Sequence, residues 1–221
     1  MLLRLLVVVL ACLLAAGCSD EPESAAAPAF PVASLPGVYS GVFPCDGCPG
    51  IATTLWLLAD GTYFFEQRYA AAENRQAVTA HNLGRWRITT GPHAIELAGQ
   101  GPARRFTRLD LDMLAMQTDS DLEHRLTRDP GASNFSSTIR LTGIMRMHGG
   151  NTSFEECRTG VIVPVNRGGD FARFWHQYRG VAGPGRPAFV ELEGRFLWSE
   201  DGALQSMTIA RFLTIKENAG C

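Results

Sequence analysis

From Val38 onward the chain alternates apolar and polar residues with a period of two, and turn residues interrupt the alternation at short intervals. Val38 to Phe43 is the first such run. Thr53 to Leu58 is the second, and Ala59-Asp60-Gly61 turns it into Thr62 to Tyr69, rich in Tyr and Phe. An Asp-Gly pair between two β-rich runs is a strong hairpin signal. Gly84 to Thr89 sets Trp86 and Ile88 against Arg85 and Arg87, and a Gly91-Pro92 turn leads into His93 to Leu97. Arg104 to Leu109, Met113 to Gln117 and His124 to Thr127 close the series. Strands this short and this evenly spaced predict a meander that curls into a barrel or half-barrel over residues 35–128.

Residues 129–137, with Pro130, Gly131, Ser133, Asn134 and Ser136, break the pattern and are expected to link two domains. In the second domain, residues 138–221, Thr138 to His148 and Thr159 to Val165 predict strands. Gly169 to Tyr178 places Phe171, Phe174, Trp175 and Tyr178 at helical spacing, a stripe expected to face the core. Ala188 to Trp198 and Leu204 to Ile215 form a last pair of strands around Asp201-Gly202. Strand, strand, helix, strand, strand fits a small Greek-key barrel of the oligonucleotide/oligosaccharide-binding (OB) type. The expected class is therefore all-β with one short helix.

The N-terminus follows a different logic. Arg4 precedes an uninterrupted apolar run from Leu5 to Ala16, shorter than the roughly 20 residues a membrane span needs. A charged start, an apolar middle and a small-residue end make residues 1–17 a signal peptide. Its end, Leu14-Ala15-Ala16-Gly17-Cys18, resembles the lipobox of bacterial lipoproteins, which implies diacylglycerol and acyl chains such as palmitate on Cys18. An ordinary signal peptide cut near Ala16 is the plainer alternative. Ser19 follows the cysteine where an inner-membrane retention signal would carry Asp, which favours the outer membrane, facing the periplasm. Residues 18–34, rich in Ala, Pro, Ser and acidic groups, read as a flexible tether.

The net charge of −2 offers no polyanion-binding surface, so nucleic acid is not an expected partner. Of six cysteines, Cys12 leaves with the signal and Cys18 takes lipid. Four remain, Cys45, Cys48, Cys157 and Cys221, and four allow three disulfide connectivities. Spacing groups them as Cys45 with Cys48 and Cys157 with Cys221; the second pair would pin the C-terminal tail.

Cys45-Asp46-Gly47-Cys48 carries the most chemistry. Thiolates are soft ligands suited to Cu(I), and a CxxC places two sulfurs around one ion. The same spacing forms a small disulfide, structural or redox-sensing, that can cycle, and neither role is the third reading. Asp46 would raise rather than lower a neighbouring thiol pKa, and no strand-to-helix context of the thioredoxin kind surrounds the motif. Met145 and Met147, alternating on one strand before His148, form a second soft set, with core packing as the plainer reading. No GxSxG, HExxH or P-loop motif is present, so no enzyme activity is expected.

Tyr39-Ser40-Gly41-Val42-Phe43-Pro44-Cys45-Asp46-Gly47-Cys48-Pro49-Gly50-Ile51, followed in register by Thr54-Leu55-Trp56-Leu57 and Asp60-Gly61-Thr62-Tyr63, is similar to the start of the NlpE family. These are bacterial lipoproteins linked to copper resistance and envelope-stress signalling. The resemblance covers roughly Leu35 to Arg128, and more weakly Phe154 to Cys221. It implies a lipocalin-like first barrel, an OB-type second barrel and a role in reporting surface, lipoprotein-sorting, redox or copper stress to the periplasmic domain of an inner-membrane sensor kinase. Direct Cu(I) capture by Cys45 and Cys48, and carriage of a small apolar ligand in the first barrel, are the competing functions.

Overall fold

The structure is a computed structural model that describes residues 31–71, 76–89, 93–120, 122–183, 185–217 and 220–221. The expected signal peptide, Cys18 and the tether up to residue 30 lie outside the described residues, as does the Gly91-Pro92 turn.

Eight strands form the first barrel: β1 (Gly37–Phe43), β2 (Ile51–Leu57), β3 (Thr62–Tyr69), β4 (Val78–Ile88), β5 (Ala94–Ala98), β6 (Arg104–Arg108), β7 (Met113–Met116) and β8 (His124–Arg128). Each pairs antiparallel with the next, and β8 returns to β1 through Tyr39↔Arg128 and Ser40↔Thr127, so the meander closes fully. Closure removes the exposed edges that a half-barrel would leave. Alternate side chains point inward, and Tyr39, Leu55, Tyr63, Phe65, Phe106 and Leu126 belong to one buried cluster. The space that a carrier would reserve for a ligand is thus occupied by large side chains. The Tyr63 hydroxyl donates to Asn82 Oδ1 at 2.6 Å, and burial pushes its pKa up to about 12.

The second barrel contains β9 (Ile139–His148), β10 (Asn151–Glu156), β11 (Ile162–Gly169), the helix α1 (Phe171–Val181), β12 (Ala188–Trp198) and β13 (Leu204–Glu217). Around the closed barrel the order is β9, β10, β11, β13, β12, and only β11 and β13 run parallel. This is the OB arrangement. It has one strand more than the sequence pattern predicts. β10 reads Asn-Thr-Ser-Phe-Glu-Glu, too polar to announce itself, yet Thr152, Phe154 and Glu156 all point inward and are buried. Gly149 and Gly150 supply the two-residue turn into it with φ of 57° and 86°, a conformation that only glycine adopts freely. The helix closes the barrel as its aromatic spacing predicts: Phe171, Phe174 and Tyr178 are buried, and Phe174 meets Phe212 at 5.7 Å. Met145 and Met147 are buried in this core, with His148 exposed, so the soft side chains are packing residues.

The two barrels share a core. Tyr63-Phe64-Phe65 on β3 is buried three in a row because both faces of the strand are covered. Tyr63 and Phe65 face the first barrel's interior, while Phe64 joins Trp56 and Leu83 in the second barrel's cluster. The segment expected to be a linker is part of this contact. Phe135 stacks on Phe64 at 4.6 Å and 18°, and Phe196 and Trp198 meet Phe64 edge-on at 5.3 and 5.6 Å. The Trp56 indole donates to Ser133 O at 3.0 Å, the Trp198 indole to Phe135 O at 2.6 Å, and Arg85 Nε to Thr159 O at 2.7 Å.

Candidate functional site

The first barrel has two dissimilar ends. At the end where β1 begins, the last residues of the expected tether are fastened down. Val32–Ser34 form a single 3-10 turn. Arg108 donates to Pro31 O at 3.1 Å and to Ser34 Oγ at 2.7 Å. Arg128 donates to Pro36 O at 3.1 Å, to Ser34 O and, at 2.5 Å, to the hydroxyl of buried Tyr39. Each guanidinium satisfies several carbonyls that would otherwise be left without partners, the role its fixed fork of donors suits. The expected reach of the tether therefore stops short of residue 34.

The opposite end carries the CxxC. β1 and β2 pair as far as Phe43↔Ile51, and residues 44–50 form the connection between them. Cys45 and Cys48 are joined as a disulfide with a Cα–Cα distance of 5.6 Å. Gly50 N donates to Cys48 Sγ at 3.4 Å. Gly50 has φ of 124°, and a Cβ there would lie 2.4 Å from Val42 Cγ1, so only glycine lets the loop return to β2. Both cysteines are partly exposed, and they border a groove of about 460 Å³ with Tyr69 of β3 and Val78 of β4. Tyr69 and Val78 are register partners, 36% and 57% exposed, with Ala70, Asp46 and Gln76 completing the lining, and Val42, 66% exposed, stands on the outer face of β1 beside Gly50. The result is an apolar rim around a disulfide. Seven strand residues at about 3.3 Å each put it roughly 20 Å from the fastened end.

Cys157 and Cys221 are joined in the second barrel, with a Cα–Cα distance of 5.2 Å and a separation of 64 positions in sequence. The Cys157 amide donates to Thr142 O at 3.0 Å, and the neighbouring Glu156 carboxylate accepts from Thr159 N at 2.8 Å and Thr159 Oγ1 at 2.9 Å. This disulfide fixes the chain end against a turn that is already hydrogen-bonded.

If reduced, Cys45 and Cys48 could hold one Cu(I) between two sulfurs. No group of three or more His, Cys, Asp or Glu side chains able to hold a metal exists among the described residues. Sequence reasoning missed the fastening arginines and the buried Glu66, which sits outside the first barrel at the seam with the second. Arg108 and Arg128 lie at strand ends where any surface arginine would look the same. Glu66 follows three aromatics on a run that reads as half exposed.

What fold and site define together is a disulfide-bonded protein of two fused β-barrels, tied down at one end and carrying an apolar disulfide rim at the other. Residues 39–124, most of the first barrel, match the family model described as the NlpE N-terminal domain. Lipoprotein NlpE of Escherichia coli strain K12 is 26% identical over 186 residues, covering 81% of this chain and 78% of that protein. Among solved structures, the Cpx pathway activator NlpE from Escherichia coli aligns with 84% of this chain and 97% of its own at 22% identity, with a TM-score of 0.38. A putative lipoprotein from Shewanella oneidensis aligns with 44% of this chain and 90% of its own at 27% identity, with a TM-score of 0.35.

Proposed function

We propose that this chain is an envelope lipoprotein of the stress-sensing type. In this reading it is anchored through Cys18 to the outer membrane and acts by protein contact rather than catalysis. The observation that carries the reading is the polarity of the first barrel: residues 31–34 are fastened at one end, and the disulfide and its apolar rim stand at the other. A lipid-anchored barrel built this way presents the rim to the periplasm, where the sensor domain of an inner-membrane kinase would meet it. The likeness to Lipoprotein NlpE of Escherichia coli supports the same direction.

The test is to produce the full chain in a bacterium carrying an envelope-stress reporter. The wild type should raise the reporter. Val42→Glu with Val78→Glu should lower the response at equal protein level, and Cys18→Ser should change both membrane attachment and response. A reporter indifferent to the chain, or to the rim variants, would sink the reading.

Copper is the second reading, favoured by the placement of both sulfurs on the exposed rim. Reduced protein should then take up one Cu(I) in competition with a chelator, and Cys45→Ser and Cys48→Ser should each abolish uptake. Unchanged uptake in either variant would move the copper elsewhere.

A further inference from the structure

One face of the second barrel has a chemistry that neither the rim nor the sensing role uses. On β9, β10 and β11 the outward positions align in register as Arg146, Ser153 and Pro164, with His148 opposite Asn151 at the turn end. Ser153 and Pro164 are short, so the middle of the face is low. Arg146, His148, Asn151, Asn166 and Arg167 are exposed around it. Two hollows of about 700 and about 280 Å³ share His148, Gly150 and Arg167, and the smaller extends to Trp175 on α1.

The groups along this groove are set rather than loose. Arg167 Nη2 donates to Gly150 O at 2.7 Å, which fixes the guanidinium above the glycine turn. Asn166 Nδ2 donates to Ser206 Oγ at 3.1 Å, leaving its carbonyl oxygen to a ligand. The Trp175 ring is half-buried, with Tyr178 stacked at 6.3 Å and the Arg179 guanidinium at 5.3 Å. Arg146 pairs with Glu155 at 2.6 Å, and that carboxylate balances one of the two guanidinium groups only. The groove is thus locally positive on a chain whose net charge is −2.

We propose that this face binds an acidic oligosaccharide. Sugar hydroxyls both donate and accept, and amide, hydroxyl and imidazole groups along a shallow face match them. A guanidinium held by one N–H keeps others for a carboxylate, the geometry in which Arg is strongest. One fixed indole at the end of the groove provides a platform for the apolar face of a single sugar ring. Nucleic acid fits less well, because stacking successive bases needs several aromatic platforms, and beside Trp175 the Phe171 ring is buried. The face formed by the second and third strands is also the one that five-stranded barrels of this topology use for oligosaccharides. Topology alone does not bring the activity; the side chains carry the argument.

The experiment is titration of the full-length chain, purified in detergent, with a tetrasaccharide of alternating N-acetylglucosamine and N-acetylmuramic acid, followed by NMR shifts and calorimetry. The neutral N-acetylglucosamine tetramer and a single-stranded tetranucleotide serve as comparison probes. The acidic tetrasaccharide should bind saturably, with shifts confined to β9–β11 and α1. Trp175→Ala, Arg167→Ala and the surface charge reversal Ser153→Glu should each weaken it by roughly tenfold or more, about 1.4 kcal/mol. Arg195→Ala, at an exposed position of β12, should leave it unchanged. Absence of saturable binding up to millimolar probe would overturn the proposal. So would equal binding of the neutral or nucleotide probe, or equal loss in Arg195→Ala. The stress reporter plays no part in this measurement, so the sensing reading and the oligosaccharide site stand or fall separately.

Discussion

Cys45 and Cys48 are three positions apart and close a small ring at the exposed rim of the first barrel, whereas Cys157 and Cys221 are 64 apart and fasten the chain end to the second. The same bond has different consequences in the two places. In the chain-entropy account, closing the long loop stabilises by about 4 kcal/mol and closing the short one by about 2. The first barrel also has other means of closure, since β8 pairs with β1 and Arg128 ties both to the incoming chain. A disulfide that a barrel scarcely needs, placed where a partner or reductant can reach it, is better suited to chemistry than to holding the fold. The second disulfide is suited to holding.

The largest test of that contrast removes the long bond. Cys157→Ser or Cys221→Ser should lower the stability of the second barrel by about 4 kcal/mol, measured by urea unfolding without reductant. A loss no greater than that of the rim variants would erase the contrast.

Next in size is the seam between the barrels. Phe64→Ala removes a ring packed against Phe135, Phe196 and Trp198 and should cost about 3 kcal/mol. It should also split unfolding into two transitions, one per barrel, because the shared core would no longer couple them. A single transition in this variant would mean that the hydrogen bonds of Trp56, Trp198 and Arg85 suffice.

Smaller again is loss of the rim bond. Cys45→Ser should lower stability by no more than about 2 kcal/mol and leave β1–β2 pairing intact, which backbone amide exchange would read. A fall as large as that of Cys221→Ser would make the rim disulfide structural.

Much of this fold is legible in the residues. The eight strands of the first barrel follow from alternation and turn chemistry, because Asp60-Gly61 and the alternating Trp86 and Ile88 leave little choice. The helix follows from four aromatics at helical spacing. What the chain hides is every feature made by two faces meeting. β10 is polar on its outer side and buries a glutamate, so its period is masked. Phe64 and Phe135 read as a surplus aromatic and a linker residue until the barrels are brought together. The Cys45-Cys48 motif is plain in sequence, but the apolar rim around it depends on Tyr69 and Val78 arriving from distant strands. The groove on the second barrel needs residues from three strands and a helix, none of which forms a motif alone.

Glu66 offers the finest test of how the barrels are coupled. Its side chain is 2% exposed, on the outer face of β3, where Ser137 from the connecting segment donates to it. His81 lies 3.1 Å away and Arg68 2.5 Å away. Burial alone would raise its pKa, but the Ser137 hydroxyl, Arg68 and His81 together hold it below the ordinary value of 4.5. A carboxylate depressed in the folded state stabilises fully above its unfolded pKa, and that contribution disappears as pH falls through the folded value. Unfolding free energy should therefore be flat in this respect near neutrality and decline below pH 4.5. Glu66→Gln should remove that part of the decline. Ser137→Ala should weaken it and cost about 1.5 kcal/mol at pH 7, the worth of one hydrogen bond to a buried charged acceptor. Urea midpoints of the three proteins between neutral and acid pH decide the matter. If Glu66→Gln leaves the acid limb unchanged, Glu66 takes no part in the coupling, and the Phe64 ring cluster carries it with the hydrogen bonds of Trp56, Trp198 and Arg85.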